Sequence, residues 1–580
     1  MPTLQNSLVV KFLGLQCCLL TFFLVVPHSL SGAEGDTTIV HAHDDVDMTW
    51  HGNYDEWAVF PDSSKSYHKI LMYYTMGCSS SGCSDWDYTT KIELLKPTGR
   101  IDSNISSVDT VSTNPVVTDT NWTKFEVSEP FELARVITPY GGYMANNQNG
   151  YSNSWQHTFV FDVTDFAPLL RDSVKLRAFY GGWSDGFSVS LRFQMIEGTP
   201  PRDVVSIANV WRRGGGGWTY DNATSFDSTH LPQKEVWLPQ EAKAASMRVI
   251  PTGHEFDNNV NCAEFCKKNY QLHAEGSQIA DQPMWRSDCG RNPIFPQGGT
   301  WLYDRANWCP GDRATIYKHA IGRAFSAGDS ISLDMDIDNI SWSGSDAPSY
   351  IIDAQLFTYS DPNFQLDASL EDIIAPSSAD RHARENPICT NPVVEIKNTG
   401  EDTLKNLLFA YGVQGGDTCR YRWNGKLAFM EEQQVELPLF NWTSLDTSNP
   451  TFYASISAPN YGNDEYALNN HLTSSFSLPP VYDSTIIMEY ATNGAADETA
   501  YTFQNQEGTV LYSRDTFPDN LLVRDTFHLS KGRYVFTMTD SDEDGIDFFA
   551  NNDGSVLSGR FWDEHYPSLY SWLSIRTGTC

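Results

Sequence analysis

Two acidic side chains lie in or next to short loops that are bounded by cysteines. Asp87 closely follows the loop Cys78–Cys83 and precedes a stretch of aromatic and β-branched residues that predicts a strand. Glu264 lies inside the segment Cys262–Cys266. A carboxyl group in a cross-linked loop keeps few conformations, and an apolar neighbour such as Trp86 can shift its pKa towards a value useful for proton transfer. We therefore interpret Asp87 and Glu264 as a candidate catalytic pair, although the first loop by itself is more typical of a disulfide-pinned turn.

Two further polar side chains flank the second loop in sequence. Arg305 lies in the segment Trp301–Gly311, where a guanidinium group can hold either a carboxylate or a sugar. His254 precedes the loop, and we assign it to the rim of a substrate pocket. The interpretation requires that two loops far apart in the sequence meet in the fold.

The histidines allow a metal site as an alternative. His41 and His43 would share one face of a predicted strand, and His254 with His273 would add two more imidazoles. No third ligand pairs convincingly with His41 and His43, so we prefer to interpret these as ordinary surface histidines. We expect catalysis to need no cofactor.

The elements that must position these groups are β-strands. The chain has 17 Trp, 27 Tyr, 31 Phe, 40 Gly and 29 Pro with few helix-periodic stretches, which predicts sandwiches joined by turns. Its 580 residues are too many for one hydrophobic core. We expect an all-β protein with two tandem jelly-roll β-sandwiches at 34–197 and 198–360. A linker at 361–388, an immunoglobulin-like sandwich at 389–478 and a C-terminal β-sandwich at 479–580 complete the prediction.

The charge balance restricts the partners. Lys and Arg number 39 against 73 Asp and Glu, which gives a net charge of −34, or −35 once Lys11 leaves with a signal peptide. A polyanion of this kind repels phosphate backbones and acidic membranes, so we expect no nucleic-acid partner. Neutral ligands such as glycans fit the charge better.

The N-terminus has the features of a secretory signal peptide at 1–33. Lys11 precedes the mostly apolar stretch Cys17–Pro27, which is short for a spanning helix, and small residues at 31–33 offer a cleavage site. We expect no membrane insertion, and a protein that is secreted or resides in the lumen of the secretory or endolysosomal pathway. Five glycosylation sequons suit that route. They lie at Asn104, Asn121, Asn222, Asn339 and Asn441.

The last third of the chain offers a possible cation site. Alternating carboxylates around Gly545 can wrap Ca²⁺, but the Glu that closes an EF-hand loop is missing, so this is not an EF-hand. An acidic solvated hairpin is about as good an interpretation as a structural calcium site. The candidate ligands are Asp540, Asp542, Asp544 and Asp547.

Four stretches together resemble the peptide:N-glycosidase F family, glycoamidases that remove whole N-glycans from asparagine. They occur in the family's order within about 36–360, with Phe265 where a Trp is usual. The stretches are Cys78-(x)4-Cys83-Ser-Asp-Trp-Asp87, Arg135-Val-Ile-Thr-Pro-Tyr140, Cys262-Ala-Glu264-Phe-Cys266 and Asp304-Arg305-Ala-Asn-Trp308-Cys309-Pro310-Gly311. The resemblance implies an active site at the interface of two jelly rolls, with Asp87 and Glu264 catalytic and Arg305 substrate-binding. The segment 390–476 separately resembles the CARDB-type immunoglobulin-like modules of adhesion proteins.

Disulfide pairing follows from local spacing and from this resemblance. Nine cysteines remain once the signal is removed, and most should be paired in an exported chain. The predicted pairs are Cys78–Cys83, Cys262–Cys266, Cys289–Cys309 and Cys389–Cys419, which leaves Cys580 single.

Two positions depart from the family pattern. The family carries a third acidic residue two positions before Trp183, where this chain has Gly181. Asp185, two residues beyond Trp183, is a candidate to reach the same space. Tyr88 stands where the family places an Arg. Trp183 and Trp86 are kept, and the resemblance implies that both contact the sugar.

These features predict a secreted amidase that cleaves the Asn–GlcNAc amide bond of N-glycoproteins or N-glycopeptides. One alternative is a glycan-binding or adhesion protein with a degenerate site, which Gly181 and the immunoglobulin-like segment favour. Another is a glycosidase that uses Asp87 and Glu264 on a C–O bond. We also expect residues 390–580 to be dispensable for the chemistry.

Overall fold

The chain folds almost entirely into antiparallel strands in the computed structural model, as the composition predicts. The structure describes residues 35–541 apart from 115, 142–153, 185, 257–259, 296, 323–324, 342–347, 386–390, 439, 441–449, 478–482, 506 and 533, together with 559–562 and 570–572. The predicted signal peptide lies outside these residues. No helix among them has the length and apolar character needed to cross a bilayer.

The first unit is a sandwich of two antiparallel sheets. Its strands are β1 (Thr37–His41), β2 (Val46–Met48), β3 (Gly52–Val59), β4 (Tyr67–Cys78), β5 (Thr89–Thr113), β6 (Val116–Ile137), β7 (Gln156–Asp162), β8 (Ser173–Tyr180) and β9 (Phe187–Glu197), and a 3-10 turn spans Thr164–Phe166. One sheet has the order β1-β9-β4-β7 with β2 beside β9, and the other has the order β3-β8-β5-β6. Strand β9 shows why the sheets pack: its alternate residues from Phe187 to Met195 are fully buried between them.

The second unit repeats this architecture. Its strands are β10 (Arg202–Arg212), β11 (Trp218–Thr219), β12 (Lys234–Trp237), β13 (Ala244–His254), β14 (Lys268–Ala274), β15 (Ser277–Met284), β16 (Tyr317–Gly322), β17 (Ser330–Ile337) and β18 (Ser349–Pro362), with helix α1 (Ala223–His230) and a 3-10 turn at Cys289–Arg291. The sheets are ordered β10-β18-β13-β16, with β11 beside β18, and β12-β17-β14-β15. Asn222 caps α1 by accepting a hydrogen bond from the Ser225 N–H.

The third unit begins earlier than predicted. Its strands are β19 (Ala368–Ala375), β20 (Val393–Asn398), β21 (Leu404–Val413), β22 (Thr418–Leu427), β23 (Glu432–Glu436), β24 (Thr451–Ser457) and β25 (His471–Ser475), with 3-10 segments at Asp380–Glu385, Pro459–Tyr461 and Ala467–Asn469. The sheets are β19-β20-β23 and β22-β21-β24-β25. Residues 361–388 are therefore not a plain linker, because β18 continues to Pro362 and β19 supplies buried residues to this core.

The fourth unit is a smaller sandwich with its own core. Its strands are β26 (Thr485–Ala491), β27 (Thr499–Asn505), β28 (Val510–Arg514), β29 (Leu522–His528), β30 (Tyr534–Asp540), β31 (Gly559–Trp562) and β32 (Tyr570–Trp572), with a 3-10 turn at Ala496–Glu498. They form the sheets β29-β26-β31-β32 and β28-β27-β30. Asp540 ends β30, but the other proposed calcium ligands, Asp542, Asp544 and Asp547, lie outside the described residues, so this site stays a prediction.

Buried charges join the first two units. Arg135 in β6 binds the carboxylate of Glu132 through two donors at 2.9 Å, and it also donates to the Thr252 hydroxyl and the Ile351 carbonyl of the second unit. Arg248 of β13 donates in return to the Glu132 carbonyl. Hydrogen-bonded charges at such an interface have well-defined partners, so they fix how the two sandwiches face each other.

Three disulfides lie within the first two units, one in the first and two in the second. They join Cys78 to Cys83, Cys262 to Cys266 and Cys289 to Cys309, as predicted. Cys419 is instead a free cysteine, so the structure does not support its predicted pairing with Cys389. Cys389 and Cys580 lie outside the described residues. Cys419 lies in strand β22 and pairs with Tyr411 of the neighbouring strand. Among the described residues, no second cysteine lies next to this position.

Four predicted glycosylation sites are exposed. Asn104 and Asn121 lie on β5 and β6, and Asn222 and Asn339 lie at turns of the second unit. Asn441 lies outside the described residues. N-glycosylation requires an asparagine side chain at the surface. The structure permits glycosylation at these four positions, and the modification itself stays a prediction.

Candidate active site

The residues around Asp87 are held by the segment that follows β6. The Thr138 hydroxyl accepts a hydrogen bond from the Tyr88 N–H at 2.7 Å and donates one to the Trp86 carbonyl at 2.7 Å. One side chain thus fixes the backbone on both sides of Asp87. The backbone that carries the Asp87 carboxyl group is therefore fixed, at the end of the sheet where β5 begins.

The Asp87 carboxylate is bound by Tyr140. The phenol donates to Oδ2 of Asp87 at 2.8 Å, and its oxygen lies 3.1 Å from the Thr300 hydroxyl and 3.4 Å from a guanidinium nitrogen of Arg305. Gly299 makes this approach possible, because a Cβ there would lie 2.7 Å from a carbon of the Tyr140 ring. Tyr140 therefore connects Asp87 to residues of the second unit.

Glu264 is positioned by backbone hydrogen bonds of its disulfide loop. The N–H groups of Ala263 and Glu264 donate to the Glu255 carbonyl, at 3.1 and 3.2 Å. The Glu264 carbonyl accepts from the Ala306 N–H at 2.8 Å. The loop is therefore attached directly to the segment that carries Arg305, and the Glu264 side chain is 13% exposed.

Arg305 has a partner for each of its five N–H groups. Nε donates to Oε1 of Glu264 at 3.0 Å. The other two nitrogens donate to the carbonyls of Thr300 and Tyr303, the Thr300 hydroxyl and the Tyr140 hydroxyl. Its side chain is fully buried. Of the two roles that the sequence left open, the geometry favours holding a carboxylate, because no donor of Arg305 is left for a sugar.

Burial raises the pKa of both acids. The pKa of Asp87 lies above its ordinary value because burial outweighs the opposing effects of the Arg305 charge and the Tyr140 hydrogen bond. Burial likewise raises the pKa of Glu264 to about 7, against the attraction of Arg305 and with a further contribution from the charge of Asp87. Two acids with raised pKa values that share one arginine are typical of sites that transfer protons near neutral pH.

The other predicted contacts divide into two groups. Trp86 and Trp183 are both more than half exposed, as a sugar contact would require. Asp185 lies outside the described residues. His254 is half-buried, stacks on Trp308 and lies 2.8 Å from the Thr252 hydroxyl, so its place at a pocket rim stays a prediction. Burial, with nearby positive charges, lowers its pKa to about 3, so His254 is a neutral group.

A side chain at position 181 would make a tight contact with the neighbouring strand. Its N–H donates to the Thr89 carbonyl at 2.9 Å, and a Cβ on Gly181 would lie 3.1 Å from that oxygen. A side chain at 181 would therefore need a small backbone shift. Gly181 thus stands where the resemblance places the third acidic residue, and Asp185 as its substitute stays a prediction.

Sequence reasoning missed three residues of the site. Thr138 and Tyr140 belong to the stretch Arg135–Tyr140, which matched the family but suggested no chemical role. Thr300 gave no signal, because its importance comes only from its distance to Tyr140 and Arg305. A hydrogen-bonding residue at the end of the matched stretch was the one available indication for Tyr140.

One of the histidines of the alternative metal site differs from the expectation. His43 is buried, with Nε2 2.8 Å from the Tyr54 carbonyl oxygen, so it is not the surface histidine that we expected. In the described part of the chain, potential ligand atoms of His273, Asp334 and Asp336 lie within 4.8 Å of one another. These three residues are on the outer face of the sheet that contains β14 and β17, away from Asp87 and Glu264.

Comparison with known proteins shows similarity over the first two units. The family models described as peptide-N-glycosidase F, N terminal and C terminal, match residues 41–195 and 220–356. A curated relative, peptide-N(4)-(N-acetyl-beta-D-glucosaminyl)asparagine amidase F of Elizabethkingia miricola, is 24% identical over 262 residues, which are 43% of this chain and 63% of the relative. The chain thus matches less than two thirds of that relative's length.

Solved structures that are similar to this chain cover a little more than half of it. PNGase F, a glycosylasparaginase from Flavobacterium meningosepticum, has a TM-score of 0.45 at 21% identity and covers 56% of this chain and 96% of its own. PNGF-II has a TM-score of 0.44 at 17% identity and covers 56% of this chain and 65% of its own. The two family models together span half of the 580 residues. The chain belongs to the peptide-N-glycosidase F family.

Proposed function

We propose that this chain is a peptide-N4-(N-acetyl-β-glucosaminyl)asparagine amidase that releases N-glycans and leaves aspartate in the peptide. The observation that carries the proposal is the connection of Asp87 to Glu264 through Tyr140 and Arg305, across two units. Two acids from separate sandwiches share this network, and both have raised pKa values. The family supports hydrolase chemistry, and the network supplies the groups for it.

The reaction needs one bond to form and one to break. Water attacks the carbonyl carbon of the asparagine side chain while the bond from that carbon to the glycosylated nitrogen breaks. Asp87 accepts a proton from the water and passes it to the leaving nitrogen, so the products are a glycosylamine and an aspartic acid side chain. Its raised pKa suits both halves of this transfer, because proton exchange is most efficient when pKa and working pH are close.

Glu264 has a positional role in this scheme. Its carboxyl group, fixed by Nε of Arg305, holds a water molecule and orients the first sugar. Arg305 acts as a positioning residue, since its buried charge opposes the pKa rise of both acids and its remaining donors hold Thr300 and Tyr140. Positioned acid–base groups of this kind contribute about 10²–10⁴-fold to a rate.

One observation favours a second candidate function. Gly181 stands in place of the family's third acidic residue, and a Cβ there would lie 3.1 Å from the Thr89 carbonyl oxygen. A site with two acids in place of three fits a protein that binds N-glycans without cleaving them. The exposed rings of Trp86 and Trp183 would serve either function.

The address and partners form part of the same proposal. Exposed sequons at four positions and a strongly acidic composition suit a secreted or lumenal protein that meets N-glycoproteins rather than nucleic acid. The predicted signal peptide directs the chain there.

Hydrolysis of a defined glycopeptide in heavy-oxygen water tests the proposal. An amidase incorporates one heavy oxygen into the new aspartate, which mass spectrometry of the peptide detects. A glycosidase leaves a sugar on an unlabelled asparagine, and a binding protein returns the glycopeptide unchanged. Either of the last two results overturns the amidase proposal.

A further inference from the structure

Three aromatic side chains form an exposed cluster beside the loop of Asp87. The ring of His51 lies flat on Trp183, with centroids 4.5 Å apart and planes 12° from parallel. Trp50 meets Trp183 edge-on at 5.7 Å. Trp50 and Trp183 remain 56% and 58% exposed. Exposed aromatic surface of this kind commonly marks a binding site.

The cluster is held in place from beneath. The Tyr54 hydroxyl accepts a hydrogen bond from the Trp50 N–H and donates one to the Trp50 carbonyl, so a single phenol fixes the turn. Phe179 meets the edge of the His51 ring at 5.4 Å. Rings that are already ordered lose little entropy when a ligand binds, which favours a preformed platform.

The cluster borders the candidate active site. The residue after Trp183, Ser184, lies with its hydroxyl 2.9 Å from that of Ser84, three positions before Asp87. The backbone directly before Trp183 is also closely packed, because a Cβ on Gly182 would lie 2.2 Å from an atom of the Tyr180 ring. A glycan whose first sugar lies at Asp87 would therefore extend past the platform.

We propose that Trp50 and His51, together with Trp183, bind hexose residues of the glycan beyond the two linkage GlcNAc residues. This inference rests on the proposed function for the direction of the glycan. A pyranose presents a face of C–H groups with partial positive charge, which the electron-rich face of an aromatic ring attracts. Neutral hexoses also match a chain with a net charge of −34. Trp50 and His51 thereby select long glycans over short ones.

Calorimetric titration with free oligosaccharides tests this platform without requiring turnover. The probes are chitobiose and a branched oligomannose glycan that contains the same chitobiose core. The unmodified protein should bind the branched glycan more tightly than chitobiose. Trp50→Ala and His51→Ala should each weaken branched-glycan binding by about tenfold, as expected for the loss of one stacked ring. Trp57→Ala, which removes an equally exposed tryptophan of β3 outside the cluster, is the matched control.

The possible results separate this inference from the proposed function. Equal affinity of both variants and the unmodified protein for the branched glycan overturns the platform, whether or not glycopeptides are cleaved. Weakened binding in both variants supports the platform even if the heavy-oxygen experiment shows no amidase activity. A loss in Trp57→Ala as large as in Trp50→Ala would also overturn it, since the effect would not be local.

A second, independent observation concerns the β5–β6 hairpin. Strand β8 pairs with β5 only as far as Leu95, whereas β5 and β6 continue to pair up to Thr113 and Val116. The two strands therefore extend beyond the sheet as a nearly isolated arm of about 50 Å, at 3.3 Å per residue. Its tip points away from Asp87, which precedes the opposite end of β5. A two-stranded ribbon without a packed face is marginally stable in water, so this arm needs a cover.

The arm has one apolar face and one polar face. Directly opposed residues share a face, and Ile105 pairs with Trp122 whereas Ser107 pairs with Asn121. The two predicted glycosylation sites of the arm, Asn104 and Asn121, lie on the polar face with the arm's aspartates. The apolar face carries Ile101, Ile105, Val108, Val116 and Trp122, each more than half exposed. The polar face carries Asp102, Asn104, Asp109, Asp119 and Asn121, together with two apolar residues, Phe125 and Val117, that are less exposed than those of the other face.

We infer that a second copy of this chain covers the apolar face. A ribbon about 50 Å long and 10 Å wide buries about 500 Å² on each copy, which gives about 1,000 Å² in total, the lower limit of a specific interface. Lys124 and Glu126 are the charged residues on this face. Because their charges are opposite, this face does not add to the repulsion between two chains that each carry a net charge of −34. Glycans at Asn104 and Asn121 block the other face, so pairing is confined to one side.

Sedimentation of the full-length protein at low and high micromolar concentration tests the dimer. We expect a concentration-dependent dimer, which Trp122→Ser and Ile105→Thr convert to a monomer with an unchanged circular dichroism spectrum. Asp119→Ser, on the polar face of the same strand, should leave the dimer intact. A monomer at all concentrations overturns the inference, including a monomer that binds liposomes or glycoproteins through the arm. A dimer that the two apolar-face variants do not disturb overturns it as well.

Discussion

The Tyr140 hydroxyl donates a hydrogen bond to Oδ2 of Asp87 at 2.8 Å and lies 3.4 Å from a guanidinium nitrogen of Arg305. Because the same guanidinium binds Glu264, one phenol and one arginine connect the two acids. The bond also occupies one oxygen of Asp87 and leaves the other for water. Removal of the Tyr140 hydroxyl should therefore change the ionisation of Asp87 while the fold stays intact.

Tyr140→Phe should move the acid limb of the kcat/KM profile to higher pH. A hydrogen bond to a carboxylate stabilises its charged form by about 1.5–3 kcal/mol, so its loss raises the pKa of Asp87 further. Activity then appears only at higher pH. Glycan release from a labelled glycopeptide between pH 4 and 9 measures the shift. Tyr88→Phe, which removes a nearby phenol bound to Ser184, should leave the limb in place.

Asp87→Asn should abolish glycan release and retain glycopeptide binding. The amide keeps the shape of the side chain but cannot accept and return a proton, so we expect a loss of at least about 10²-fold in kcat with little change in affinity. Single-turnover release and calorimetric binding, measured on the same preparation, separate the two effects. Wild-type release by this variant would place the chemistry elsewhere and strengthen the binding-protein alternative.

Glu264→Gln should cost less activity and remove an inflection in the pH profile. Burial raises the pKa of Glu264 to about 7, so its ionisation falls inside the working range of the enzyme. Glutamine resembles the protonated acid and cannot titrate, so the profile of kcat/KM should lose its inflection near neutral pH while release falls about tenfold. A profile with an unchanged inflection near pH 7 would show that another group titrates there.

The sequence predicted the strands and the two acids because both leave local signals. Alternating apolar residues mark sheet faces, as in β9, and cysteines four or five positions apart mark the loops around Asp87 and Glu264. The contacts of Tyr140 leave no such signal, because its partners Thr300 and Arg305 lie 160 and 165 positions away. The contacts of His254 could not be predicted either, since its stacking on Trp308 depends on tertiary packing.

The predicted linker failed for a different physical reason. Residues 361–388 are rich in polar residues, yet Ala368, Leu370 and Ile373 of β19 enter the third core. This unit also packs on the first, where Tyr466 stacks on His68 at 4.4 Å. The expectation that residues 390–580 are dispensable for chemistry stays a prediction, but these contacts indicate that the third unit contributes to the stability of the first two sandwiches.

The mostly buried ion pair of Lys69 and Glu371 joins the first and third units and gives the last prediction. Burial opposes ionisation of Glu371, but the charges of Lys69 and Lys397 outweigh it and lower its pKa to about 2. Since the folded pKa lies below the ordinary value of about 4.3, the pair stabilises the fold above that pH, and its contribution is lost as the pH falls from about 4.3 to about 2.

Glu371→Gln should therefore reduce the free energy of unfolding at pH 7 by about 3 kcal/mol, because Lys69 is left without its buried counter-ion. The difference from the wild type should shrink as the pH falls from about 4.3 towards 2, because the wild-type carboxylate is itself protonated there. Urea unfolding at pH 7 and pH 3 measures both values. Glu432→Gln is the matched control: its half-exposed carboxylate pairs with Lys397, and its loss should cost less than about 1 kcal/mol. Equal destabilisation by the two variants, or a Glu371→Gln effect that does not depend on pH, would mean that the Lys69–Glu371 pair does not fasten the third unit to the first.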